Sequence, residues 1–185
     1  MGICTDGAPS MTGSVKGFIS LVKQKNPNLM TAHCFIHRET LLAKTLKDEL
    51  KLVLDQVVKM VNYIKSRPLK SRLFKQLCIA MESKHICLIL HTEVRWLSRG
   101  KVLSRVYELR DEMLAFFANE KLGDFCDCLS NELWCAKLAY LADIFQHLNV
   151  VNTGLQGRNE NLLSSTDKLV SLQRKIHIWK SRITN

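Results

Sequence analysis

Three groups of residues in this chain have types and spacings that could do chemistry. Asp6 stands where a short apolar run, Gly2-Ile3-Cys4-Thr5, meets a turn marked by Gly7 and Pro9, a common place for a metal-binding carboxylate. Cys34 and His37, with His33 adjacent, have the spacing of half a zinc site. Arg95 and Trp96, inside His91-Thr92-Glu93-Val94-Arg95-Trp96-Leu97-Ser98-Arg99-Gly100, set a guanidinium beside a large ring. That pairing suits a stacked nucleobase next to a phosphate, because the ring covers the base and the cation meets the charge.

Each group also has a plainer reading. Two-metal phosphoryl transfer needs several oxygen ligands converging on ions about 3.5–4 Å apart. Glu39, Glu93 and Asp143 are available by type but show no spacing that argues for convergence, which leaves Asp6 as a turn or cap residue. A structural zinc needs four ligands, and no second Cys/His pair accompanies Cys34 and His37, so no metal is expected. A Cys-His nucleophile would lack an orienting third group. Taken as an isolated pair, Trp96 reads more readily as a core residue with Arg95 solvated.

Charge narrows the choice. The chain carries a net +10, and the excess is uneven: residues 1–118 hold 19 Lys+Arg against 10 Asp+Glu, residues 119–185 hold 8 against 7. Between Gln56 and Met81 there is no acid, while Lys59, Lys65, Arg67, Lys70, Arg72 and Lys75 all fall there. Such a run suits a polyanion such as DNA, whose binding releases counterions and weakens with salt; a solvated basic helix face is the alternative. Seven cysteines at irregular spacing argue for reduced thiols. No long uncharged apolar window and no signal-peptide pattern occur, so an intracellular protein with no membrane partner is expected.

The elements that must position these residues follow from periodicity. A strand at the N-terminus, a helix over about 12–25 and a strand over 29–36 make a small α/β part. Two short strands do not form a stable sheet alone, so the chain reads as a fragment whose remaining strands lie elsewhere. From Glu39 a long amphipathic helix runs to Arg67-Pro68, and a second covers Leu69 to Glu82. A helix entered through Arg95-Trp96, with Thr92 as N-cap, continues in the stripe Val102, Leu103, Val106, Leu109, Met113, Phe116, Phe117. Two long helices, Leu133 to Leu155 and Leu162 to Ile183, complete a mainly α chain.

In order, Thr5-Asp6-Gly7-Ala8-Pro9-Ser10-Met11, His33-Cys34-x-x-His37-Arg38, the His91 to Gly100 stretch, and Leu138-Ala139-Tyr140-Leu141-Ala142-Asp143-Ile144-Phe145 running on to Leu148-Asn149 and Leu155-Gln156-Gly157 closely resemble hAT-superfamily transposases. More narrowly the chain resembles their vertebrate domesticated copies, the BED zinc finger, SCAN-domain and general transcription factor II-I repeat proteins with a transposase-like body. The resemblance implies a partial ribonuclease H-like region, residues 1–65, leading into an all-helical insertion domain, residues 66–185. It implies that Asp6 matches the second Asp of an Asp, Asp, Glu triad, that Cys34 and His37 match the motif beside the active site, and that Arg95-Trp96 match the insertion-domain pair that stabilises a flipped base.

Only one of the three triad acids is matched. A single carboxylate does not hold the two Mg²⁺ of the complete family enzyme, so a catalytically inactive chain without a cofactor is expected. The expected activity is residual, salt-sensitive DNA binding through Lys65, Arg67, Lys70, Arg72 and Lys75 with Arg95 and Trp96, in a nuclear protein. The alternative is a helical protein-interaction module that binds other proteins through exposed apolar surface and makes no nucleic-acid contact.

Overall fold

Strand β1 (Gly2–Thr5) pairs in parallel with β2 (Met30–His33), in the register Gly2 with Met30 through Thr5 with His33. Parallel neighbours require a crossover, which here contains two short helices, α1 (Pro9–Thr12) and α2 (Phe18–Lys25). The expected single helix over 12–25 is split because Gly13 and Gly17 form a tight turn: a Cβ on Gly17 would lie 2.3 Å from the Gly13 carbonyl oxygen. Leu29 is buried in this unit. The computed structural model describes residues 2–34, 46–90, 97–156 and 161–184. Among these the sheet has two strands and the chain is mainly helical.

The chain divides into two compact units, Met1–Lys47 and Asp48–Asn185. The second unit contains α3 (Asp48–Lys65), α4 (Pro68–Ala80), α5 (Leu97–Glu108), α6 (Arg110–Asn119), α7 (Gly123–Ser130), α8 (Glu132–Leu155) and α9 (Leu162–Thr184). The long helix expected from Glu39 is described from Asp48, where Asp48 and Glu49 place negative charge at the helix N-terminus. Val53, Val57, Met60, Val61 and Ile64 recur at helical spacing, and all are buried.

Helix α3 packs against α4, α5 and α8, and the most extensive helix pairing is α5 on α8. That crossing is close because Gly100 has no side chain. A Cβ there would stand 2.3 Å from Asn149 Nδ2 and 2.9 Å from the Phe145 carbonyl oxygen. Val102, Leu103 and Val106 then meet the core that Leu138, Leu141 and Phe145 supply from α8, all buried.

The stripe Val102 to Phe117 is one bent rod. Leu109, with φ −104° and ψ 22°, interrupts the helical geometry, yet its N–H still donates to Arg105 O at 3.0 Å and Met113 N–H donates to Leu109 O at 2.9 Å. The bend lets Phe116 and Phe117 join an aromatic cluster with Phe74, Phe125 and Tyr63. The Phe74–Phe116 centroids lie 5.5 Å apart edge to face, and those of Phe117 and Phe125 lie 4.9 Å apart.

Helix α8 starts at an Asn131 cap whose side chain accepts the Trp134 N–H at 2.9 Å. The Trp134 indole N–H donates to Gln56 Oε1 at 2.7 Å, tying α8 to α3. Helix α9 folds back along α8: Lys168 Nζ donates to Gly154 O at 2.8 Å, and the Trp179 ring meets His147 at 4.9 Å further along. Among the described residues no helix is long and apolar enough to cross a membrane.

Candidate binding surface on the helical bundle

In the first unit the end of β1 places Asp6 in a turn. Its Oδ1 accepts the Ala8 N–H at 3.0 Å, and Gly7, at φ 79°, makes the bend that a side chain would resist. Cys34 follows β2 and donates its backbone N–H to Thr5 O at 2.7 Å. This brings the Cys34 thiol against that of Cys4, a neighbour the sequence reading did not find because 30 residues separate the two. Partial burial, then Cys34 itself, raises the Cys4 thiol above its ordinary value of 9.0. His37, the other half of the expected Cys/His pair, lies outside the described residues, as do Arg95 and Trp96. Among the described residues no three His, Cys, Asp or Glu side chains converge as a metal site.

The basic run is split between two roles. Lys70 on α4 is ion-paired with Glu120 at the end of α6, and Tyr63 of α3 donates its hydroxyl to the same Glu120 Oε2 at 2.8 Å. Lys70, then Tyr63, hold the Glu120 carboxyl below its ordinary value of 4.5. The same contact, led by the hydrogen bond to Glu120, pushes the Tyr63 hydroxyl above 10.0. Arg67 lies over the Tyr63 ring at 4.5 Å and donates to Tyr63 O at 3.0 Å. These two cations lock the corner between α3, α4 and α6.

Lys59, Lys65, Arg72 and Lys75 make no ion pair among the described residues, and Lys59, Arg72 and Lys75 are exposed. On α4, Arg72 and Lys75 do not stand on a purely polar face. Leu69 is 59% exposed, Leu73 46% and Ile79 48%, while the opposite face buries Phe74 and Cys78. The helix is apolar on both sides.

Two further features lie beyond the expected residues. A groove of about 600 Å³ lies between α5 and α8 beside Gly100, lined by His85, Lys101, Ser104, Arg105 and Gln146 among others. Its charges are partly satisfied within the groove: Glu108 lies 3.1 Å from His85 and 3.4 Å from Arg105, which also donates to Cys87 O at 3.0 Å. The far half of α9 presents Arg174, Lys175, Lys180 and Arg182, all exposed, with no acid after Asp167. That signal was in the sequence, hidden by averaging over the nearly neutral last third.

Residues 33–184 match a family model described as the FAM200/GTF2IRD2 helical domain. No solved structure matches the chain. The match spans the basic run, the Gly100 crossing and all three helices from α7 to α9, and on that evidence the chain belongs to the FAM200/GTF2IRD2-like family.

Proposed function

We propose that the chain is a transposase-derived helical module that has no catalysis of its own and acts by docking another protein on its bundle surface. The family match and the ordered motifs resembling hAT transposases support the origin. Within the resemblance only Asp6 matches a triad acid, and its carboxylate serves the Ala8 N–H. The observation that carries the docking role is the outer face of α4, where Leu69, Leu73 and Ile79 stay exposed on a helix whose other face is already packed. A nuclear location accords with the proposed origin.

A second reading, salt-sensitive DNA binding through Lys59, Lys65, Arg72 and Lys75 with Arg95 and Trp96, is favoured by the acid-free run from Gln56 to Met81. It is weakened where Arg67 and Lys70 spend their charge within the fold. Retention of duplex and hairpin DNA at 50 and 200 mM salt separates the two. Docking predicts that R72E/K75E and L69S/L73S leave a weak, non-specific DNA retention alike, while L69S/L73S alone lowers the fluorescence of a bound hydrophobic dye. DNA retention that falls steeply with salt and collapses in R72E/K75E but not in L69S/L73S would favour the second reading instead.

A further inference from the structure

Resting on the docking reading above, we infer that the outer face of α4 is a seam for an acidic amphipathic helix. Leu69, Leu73, Gln76 and Ala80 stand at spacings of four, three and four, the spacing of a helix-pairing seam, with Ile79 beside its far end. Arg72 flanks the seam on the side of Ile79, Lys75 stands further round the helix beyond Ile79, and neither makes an ion pair among the described residues. A helix apolar on both faces normally has both covered, and among the described residues the Phe74–Cys78 face is the covered one while Leu69, Leu73 and Ile79 stay exposed.

Charge complementarity selects the occupant. With no acid between Gln56 and Met81, a second copy pairing its own α4 across the seam would bring like charges onto Arg72 and Lys75. A partner helix with Leu or Ile at the seam positions and Glu or Asp beside them would meet both the leucines and the cations. Gln76, polar within the seam, fixes the register by favouring a partner that sets a hydrogen-bonding side chain opposite it.

The test is titration of the full chain with labelled synthetic helices of one apolar seam pattern, one flanked by Glu, one by Lys, and one of the Glu composition with the pattern scrambled. The seam predicts saturable binding of the Glu helix, at least about tenfold weaker for the Lys helix, and none for the scramble. L69S/L73S should abolish binding with the fold intact by circular dichroism. R72E/K75E should reverse the preference, so that the Lys helix binds better. Equal binding of the Glu and Lys helices would overturn the acidic partner while leaving apolar docking standing; no effect of L69S/L73S on any helix or on dye binding would overturn both. Dimerisation of the chain alone that is lost in L69S/L73S, or seam-dependent binding to vesicles of anionic lipid in preference to the Glu helix, would each replace the proposed occupant.

Discussion

Glu120 accepts the Tyr63 hydroxyl at 2.8 Å, and the same carboxylate oxygen takes the Lys70 ammonium. This contact joins the ends of three helices and removes one cation from the surface that the sequence presents as a continuous basic run. It also gives the bundle a pH signature. Glu120 is held below 4.5, so its stabilisation is complete above that value and is lost as the pH falls through the lower folded-state value. Tyr63 is raised, so its share is complete below pH 10.0 and is lost on alkalinisation. Urea melts of wild type and Glu120→Gln should differ most at neutral pH and converge in acid. A difference that stays constant from pH 7 to pH 3 would contradict the assignment.

Gly100 should tolerate no side chain. The Cβ of Gly100→Ala would meet the Phe145 carbonyl oxygen at 2.9 Å, a backbone atom that cannot move without displacing α8, as well as the Asn149 amide. The expected loss is about 1–3 kcal/mol in urea unfolding, the usual cost of overpacking. Gly123→Ala, at a helical position where a Cβ meets nothing within 4 Å, is the matched control and should leave stability unchanged or raise it by up to about 1 kcal/mol, the size of a helix-propensity effect.

The turn after α6 ends on Lys121 at φ 58°, with Leu122 N–H donating to Phe117 O at 3.0 Å, the pattern of a left-handed helix stop. Glycine adopts this conformation without the Cβ penalty, so Lys121→Gly should stabilise the fold by about 0.5–1 kcal/mol. A destabilised variant would show that the Lys121 side chain holds a contact in solution that outweighs the backbone strain.

Cys78 should be the slow thiol. It is fully buried between α4 and its neighbours, and burial, then the Glu112 charge, pushes its pKa up to about 11. Maleimide labelling of native protein followed by peptide mapping should modify exposed Cys87 long before Cys78, which should react only on unfolding. Equal rates in native conditions would place α4 off the bundle.

The long helices were legible because their apolar spacing is strong and their ends carry ordinary signals. Leu162 to Ile183 reads nearly as α9 is found, and Leu133 to Leu155 as α8. The stop after α4 was legible as well, since the expected end at Glu82 is the left-handed residue that follows Ala80 and Met81, whereas the stop after α6 was not, because Lys121 occupies a left-handed position where a sequence rule looks for Gly or Asn. Helix α7 was missed because its eight residues, including Cys126 and Cys128, are too few to show a period. The candidate surface was half visible. Composition finds the six cations, but which of them Glu120 claims depends on a contact spanning 50 residues, and no local pattern carries that. Periodicity likewise marks α4 as a helix without saying that Leu69 and Leu73 point away from the core.

The central claim is that α4 holds the bundle with one face and a partner with the other. Thermal or urea unfolding of L69S/L73S and of Phe74→Ser, with titration of the Glu-flanked helix on the same samples, tests it most directly. The account predicts that L69S/L73S keeps wild-type stability to within about 1 kcal/mol, about 0.5 for each of two exposed positions, and loses the helix, whereas Phe74→Ser loses about 3–5 kcal/mol from the core. A stability loss in L69S/L73S as large as that of Phe74→Ser, or undiminished binding of the helix by L69S/L73S, would contradict it.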